Sequence, residues 1–308
     1  MSRFENHAGF NITNSKLQVV EINFQENQYL LENVDEAYFN EPINLEKDKG
    51  TKISALLQGA FDELLIKKRL NSRLVSFTLP FDLFHCMQAP YDNSLLHQDL
   101  LEEFRWEFSV LYPYVPVQDL VIQYIEIEKN EFLEWNSTFV IGLPRKYLQI
   151  INNFCTANNL KLRFVDHPHL ASERALASSN SLLGYGLVLS VYFNNKHLSL
   201  IFLFNGKPIY FKHFPLNDAG EIPAFLLEEL QSGKFLKINK SLIKTAFISG
   251  DETSEAVVQS LKDIIGIDFV YFNPFEKIKP VQNLFGNKYY SERYNSFAPA
   301  AGIAFRIA

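Results

Sequence analysis

Metal-ligating side chains crowd together in this chain at Asp166-His167-Pro168-His169. Two imidazoles and a carboxylate are part of a zinc site, and the missing ligands would have to come from elsewhere in the fold. The plainer expectation is a strand-to-helix turn with exposed imidazoles. Nucleotide and hydrolase motifs fail one by one. No G-x-x-x-x-G-K-[ST] loop occurs, and Gly184-Tyr185-Gly186 lacks the third glycine of a dinucleotide fingerprint. H-E-x-x-H, paired C-x-x-C and the G-x-S-x-G elbow are all missing. Cys86 and Cys155 fall in apolar patterns and are expected as buried free thiols. Recognition chemistry is better represented. Trp106 stands off the Leu100, Phe104, Phe108 stripe, with Arg105 beside it and Tyr112 and Tyr114 close by. An aromatic and arginine group of this kind suits a peptide groove, the alternative being that Trp106 packs inside its own subdomain.

Composition narrows the classes further. The 308 residues are 47 % hydrophobic and 21 % charged, enough apolar surface for an ordered fold of two lobes. A net charge of −6 argues against nucleic acid, since the longest basic run is Lys67-Lys68-Arg69. Two cysteines suit a reducing cytosol. Met1 to Ala8 is too short and polar for a signal peptide, and Leu187–Phe193 and Leu198–Phe204 are too short to span a bilayer. Any membrane contact is expected only through partners.

The elements that would position these residues follow from periodicity. Gly9–Ile12, Leu17–Phe24 and Gln28–Phe39 read as a β-meander, and Ile53, Leu56, Leu57, Ala60, Phe61, Leu64 and Leu65 as one buried helix stripe. Strands Arg73–Leu79 and Asp82–Met87, a helix Ser94–Leu111, strands Asp119–Glu128 and Thr138–Gly142 and a helix Arg145–Cys155 come next. Strand Lys161–Val165 and helix Leu170–Ala177 close the first half. The second half starts over: strands Leu187–Phe193, Leu198–Phe204 and Pro208–Phe214, with Asn194-Asn195-Lys196 and Asn205-Gly206 as turns. Helix Pro223–Gln231, strand Leu242–Ile248, helix Glu255–Ile265, strand Asp268–Phe272 and helix Phe297–Ile307 complete it. Asn14-Ser15-Lys16-Leu17 matches Asn195-Lys196-His197-Leu198 in pattern, the mark of an internal duplication.

A duplicated meander followed by βα units is the plan of the superfamily of actin and the sugar kinases. Four stretches narrow the resemblance. Gly9-Phe10-Asn11-Ile12-Thr13-Asn14-Ser15 looks like an opening phosphate hairpin, and Leu100 to Glu107 running on to Tyr112-Pro113 like an inserted-subdomain helix. Ile248-Ser249-Gly250 to Asn273-Pro274-Phe275 looks like an adenosine-side unit, and Asn295 to Ala304 like a closing helix. In this order and spacing the chain resembles the type IV pilus assembly PilM family, itself similar to FtsA. The resemblance implies an α/β, two-lobed actin-like fold, duplicated and ribonuclease-H-like, with a small α/β insertion. It places the first lobe at 1–72 plus 160–183 and 296–308, the insertion at 73–159 and the second lobe at 184–295. It further implies a cytoplasmic scaffold, peripheral at the inner face of the inner membrane. Its partner would be the N-terminal tail of a single-span, PilN-like protein, lying between the first lobe and the insertion. Self-association into a ring is part of the same expectation.

The resemblance also implies a nucleotide cleft, and there this chain departs from the pattern. Asn11 and Thr13 stand where the family has Asp and Gly, and Gln18 where it has a basic residue. Around Ser190, Tyr192 and Asn194 the family's Asp-x-Gly is gone, and Ser249-Gly250-Asp251 keeps one glycine of the adenosine loop. Without carboxylates to hold magnesium, phosphoryl transfer loses its main electrostatic support. The expectation is a pseudo-nucleotide site with no cofactor, no metal and no catalytic residue. The competing one is an FtsA-like switch that binds ATP with magnesium.

Overall fold

The computed structural model describes residues 5–26, 28–179, 186–194, 196–232, 240–251 and 253–307. Gly184, Tyr185 and Asn195, singled out above, lie outside them. In chain order the elements are β1 (His7–Ile12), β2 (Lys16–Gln25), β3 (Gln28–Tyr38), α1 (Gly50–Lys67), β4 (Leu74–Thr78), β5 (His85–Pro90) and α2 (His97–Leu111). Then come β6 (Leu120–Ile127), β7 (Ser137–Pro144), α3 (Arg145–Ala157), β8 (Lys161–Asp166) and α4 (Pro168–Ser179). The second half holds β9 (Leu187–Asn194), β10 (His197–Phe204), β11 (Lys207–Pro215), α5 (Ile222–Ser232), β12 (Ile243–Gly250), α6 (Glu255–Ile265) and β13 (Phe269–Tyr271). β14 (Lys279–Pro280), α7 (Lys288–Ser291) and α8 (Ala298–Ala304) end the chain.

Two sheets repeat one topology. The first runs β14-β3-β2-β1-β4-β8 and the second β11-β10-β9-β12-β13, in each case an antiparallel meander followed by two parallel strands. Register repeats as well. Asn11 lies opposite Gln18 and Thr78, as Tyr192 lies opposite Ser199 and Ser249. The duplication read from the turn patterns is therefore present strand by strand. β1, β9 and β10 are buried almost throughout, which is why their sequences show no regular alternation of apolar and charged residues. α1 buries Ile53, Leu57, Ala60, Phe61 and Leu64, the stripe its spacing predicts.

The lobe boundaries differ from the expected ones in two places. β4, assigned by sequence to the insertion, is the parallel neighbour of β1. α3 also packs in the first lobe, with Phe154 edge-on to Phe61 at 5.4 Å and to Phe77 at 6.2 Å. The insertion proper is the antiparallel sheet β5-β7-β6 with α2 across it, where Leu100, Phe104 and Phe108 pack on Met87, Leu120, Ile122 and Val140. The second difference lies after β13, where the chain crosses back. β14 pairs with β3, and Asn287 Nδ2 donates to the Val34 carbonyl at 2.9 Å. Periodicity shows that a strand is apolar but not which edge it joins.

The insertion also touches the second lobe, through Phe139 against Phe211 at 4.2 Å and Phe132 against Phe204 at 5.1 Å. Pro80 separates β4 from β5 as expected, but a tight turn at Phe81–Leu83 follows it and β5 begins only at His85, not at Asp82. The closing helix is shorter than its composition suggests, with tight turns at Tyr294–Phe297 and Phe305–Ile307 flanking α8. Both cysteines are free. Cys155 is buried and Cys86 half-buried, and burial pushes the Cys155 thiol up to about 12. Among the described residues no helix is long and apolar enough to cross a membrane.

Candidate functional site

The β1–β2 hairpin is closed by its own side chains. Thr13 Oγ1 accepts from the amides of Ser15 at 3.2 Å and Lys16 at 3.1 Å, and the Thr13 amide donates to the Lys16 carbonyl at 3.0 Å. Beneath the turn, Thr78 donates to Asn11 Oδ1 at 2.7 Å, Asn11 Nδ2 to Gln18 Oε1 at 2.8 Å, and Gln18 Nε2 to Glu36 Oε2 at 3.2 Å. Asn11, Gln18 and Glu36 are all buried. Asn14, at the tip, uses its carbonyl to accept the Ile43 amide at 2.8 Å.

The β9–β10 hairpin solves the same problem with an amide side chain. Asn194 Oδ1 accepts from the amides of Lys196 and His197, each at 2.9 Å. Tyr192 is buried, and the Phe81 ring of the insertion lies 5.2 Å from it. Phe81 is enclosed by His167 at 4.6 Å and by His197 and His213 at 5.8 Å each. An apolar ring thus fills the space against the second hairpin.

The imidazoles expected to be exposed are not. His167 and His169 are 2 % and 0 % exposed, because α4 begins inside the junction of the lobes and not at the surface. His169 meets Ser199 Oγ at 2.7 Å and Ser190 Oγ at 3.1 Å. Burial, then the neighbouring imidazoles, holds His167 well below the usual histidine range, and burial takes His197 and His213 down to about 4. All three are neutral near pH 7. Among the described residues no group of three metal-ligating side chains forms.

Ser249, Gly250 and Asp251 end β12 beside the second hairpin. Ser249 Oγ meets Ser172 Oγ at 3.0 Å. Gly250 has φ of 147°, and a Cβ there would lie 1.9 Å from the Phe193 carbonyl oxygen, so the backbone of β9 takes up the space a glycine loop would leave. Lys16 Nζ crosses between the lobes, 3.1 Å from Glu36 Oε2 and 3.9 Å from Asp251 Oδ1. Arg293 Nη1 holds the other Glu36 oxygen at 2.8 Å. Burial alone would raise the Glu36 carboxyl, but Lys16 and Arg293 outweigh it and keep it below the usual range. Lys16→Met is expected to cost about 2–3 kcal/mol, since it leaves a buried carboxylate with one cation in place of two. A chemical denaturation midpoint measures it.

At both hairpins the groups that would meet a bound nucleotide are engaged within the protein. Neither hairpin tip carries a carboxylate, and the turn amides are engaged by Thr13 and Asn194. Lys16 is already held between two acids, and Phe81 and Tyr192 occupy the second hairpin's open side. Sequence reasoning found the hairpins but missed Lys16, Glu36 and Phe81. A lysine beside a turn and a phenylalanine after Pro80 were the visible signals.

A second feature lies on the far side of His167. A groove of about 730 Å³ is lined by β6 (Val121, Tyr124, Ile125), β8 (Arg163, Phe164, Val165), α4 and the β10–β11 hairpin. β8 ends the six-stranded sheet and β6 ends the three-stranded one, so two strand edges border the same groove. The walls are mostly apolar. Arg174 and Arg306 both reach Asp166 Oδ2 there, at 3.1 and 2.9 Å.

None of the four residues expected to bind a partner lines this groove. Trp106 and Tyr114 are 63 % and 98 % exposed on the insertion. Tyr112 instead supports the insertion, donating to the Cys86 carbonyl at 2.8 Å and lying 4.8 Å from the His85 ring. Arg105 is half-buried. Trp106, at 63 % exposure, does not pack inside its own subdomain.

No family model matches the chain, and no curated protein is similar to it in sequence. Its similarity to solved structures is extensive. A chain described as the PilM-PilN type IV pilus biogenesis complex superposes with a TM-score of 0.78 at 18 % identity, covering 99 % of both chains. A Bacteroides thetaiotaomicron protein of unknown function with an actin-like ATPase fold gives a TM-score of 0.56 at 12 % identity, covering 97 % of this chain and 95 % of that one. With its repeated sheet order and inserted three-stranded sheet, the chain has the actin-like fold in its PilM-like form.

Proposed function

We propose that this chain is a scaffold of a type IV pilus or related secretion machine. Its groove between β6 and β8 would hold the extended N-terminal tail of a single-span, PilN-like inner-membrane protein. The observation that carries this reading is the pair of strand edges bordering one apolar groove. An extended peptide must satisfy its backbone N–H and C=O groups, and sheet edges supply partners for them while apolar walls take alternate side chains. The chain then works at the cytoplasmic face of the inner membrane and touches it through that partner. The actin-like cleft serves as a closed joint between lobes, a pseudo-nucleotide site without cofactor or turnover. In support, its hairpin amides and its lysine are engaged by the protein itself, and the Phe81 ring packs on Tyr192.

The test is calorimetry with a synthetic peptide copied from the first residues of a single-span membrane protein encoded beside this chain. Binding is expected, and Val121→Glu or Val165→Glu should weaken it by about tenfold or more, placing a charge on a half-buried groove wall. Binding that ignores both substitutions would overturn the groove. Magnesium-ATP in the same cell is expected to give no heat, and micromolar binding would overturn the closed joint.

A further inference from the structure

α2 has two apolar sides. One buries Leu100, Phe104 and Phe108. On the other, Trp106 and Val110 stand one turn apart, 63 % and 59 % exposed, and Tyr114 just beyond the helix is 98 % exposed. Glu102 and Glu103, both exposed, lie one turn N-terminal of Trp106, and exposed Asp99 lies a turn before them. Along the outward side of one helix, an acidic half therefore runs into an aromatic and aliphatic half. Nothing about folding this subdomain requires that arrangement, because its core is already complete beneath.

We infer that this face docks a cationic, amphipathic stretch of the same membrane partner, between the groove-bound tail and the membrane span. The inference rests on the tail reading above. Three physical points select this occupant. Acidic residues beside exposed apolar ones repel anionic lipid head groups, so the face is unsuited to lie on the bilayer. Cytoplasmic segments flanking a membrane span carry an excess of Lys and Arg, the complement of Asp99, Glu102 and Glu103. The Trp106 ring accepts both a cation on its face and aliphatic side chains around it, and aromatic anchors of this kind dominate the energetics of small interfaces. A tail held at the groove would meet α2 at high effective concentration, so a weak second contact suffices to raise the joint affinity.

A designed peptide of alternating leucine and lysine turns, about 15 residues long, is the probe, labelled for anisotropy and read together with tryptophan emission. It is expected to bind. Glu102→Lys with Glu103→Lys, and separately Trp106→Ala, should each weaken it by about tenfold or more, with a similar loss between low and high salt for the parent protein. Val121→Glu, in the groove wall, should leave it unchanged. All three α2 side chains are exposed, so circular dichroism of the variants should match the parent. No binding, or binding that the α2 variants do not weaken, overturns the inference. So does adsorption to phosphatidylglycerol vesicles that Trp106→Ala abolishes. If the peptide behaves as expected while the tail peptide fails at the groove, the tail reading falls and the single-partner form of this inference falls with it. If the tail binds and the α2 variants change nothing, the α2 face alone is wrong.

Discussion

Gly302→Ala is expected to leave little folded protein, or to lower the thermal midpoint by about 6–10 °C, for a cost of about 3 kcal/mol. A Cβ at that position would sit 1.6 Å from the Ala171 carbonyl oxygen and 2.5 Å from its carbon. Both obstacles are backbone, and a Cβ has no rotamer by which to avoid them. α8 has no room to retreat. On its other side Gly9 of β1 meets it so closely that a Cβ there would lie 2.2 Å from the Ala300 carbonyl. The helix is wedged between α4 and the central strand of the first sheet. The matched control is Gly59→Ala in α1, where a Cβ would meet nothing within 4 Å. That change should stabilise by about 0.5–1 kcal/mol through helix propensity alone. Two glycine-to-alanine substitutions of opposite sign, read by differential scanning fluorimetry, separate close packing from conformational entropy.

Mild acid should weaken the fold more than any single surface substitution. His7 is fully buried, with Nδ1 2.7 Å from the Ala304 carbonyl and Nε2 2.9 Å from Ser76 Oγ, and burial lowers it from 6.5 to about 4. His197 and His213 are lowered to a similar value by burial. A group depressed in the folded state binds more protons when unfolded. Its contribution is therefore complete above about pH 6.5 and is lost as pH falls toward 4. For His7 the full shift is worth about 3 kcal/mol, with about 2 kcal/mol gone by pH 5. His197 and His213 are partly exposed and add less each. Glu21 works the other way, since burial raises it to about 6, so its contribution fades as pH rises through that value. The histidines outnumber it. Denaturant midpoints should fall steadily from pH 7 to 5, and His7→Gln should flatten that slope. A midpoint independent of pH over this range would contradict the buried neutral imidazoles.

Local order was legible in the sequence because periodicity and turn chemistry are local. The α1 stripe, both meanders and α6 were all placed within a residue or two by spacing alone. The pairing of Asn11 with Gln18 follows from turn length once the hairpin is granted. What the sequence withheld was long-range. Whether β4 joins the insertion or β1, and whether residues after β13 stay with their own sheet, depends on edges far apart in sequence, as His7 is from Leu74 and Leu30 from Lys279. The resemblance pointed to the space between the first lobe and the insertion, but not to the residues that line the groove there, since β6 and β8 are brought to it by two different sheets. His167 and His169 were misplaced because a turn is usually exposed, and here it is covered by Phe81, Tyr192 and the β9–β10 hairpin. The site residues Asn11, Gln18 and Tyr192 were found through resemblance, and the geometry shows what each does locally.

The strand β14 and the helix α8 come from the last thirty residues, yet they complete a sheet begun by the first forty. While the ribosome is still adding residues, the amino-terminal half therefore carries an open sheet edge and an uncovered apolar face. Those pieces arrive only once β14 and α8 have been made. Nascent-chain protection is the demand this topology places on the cell.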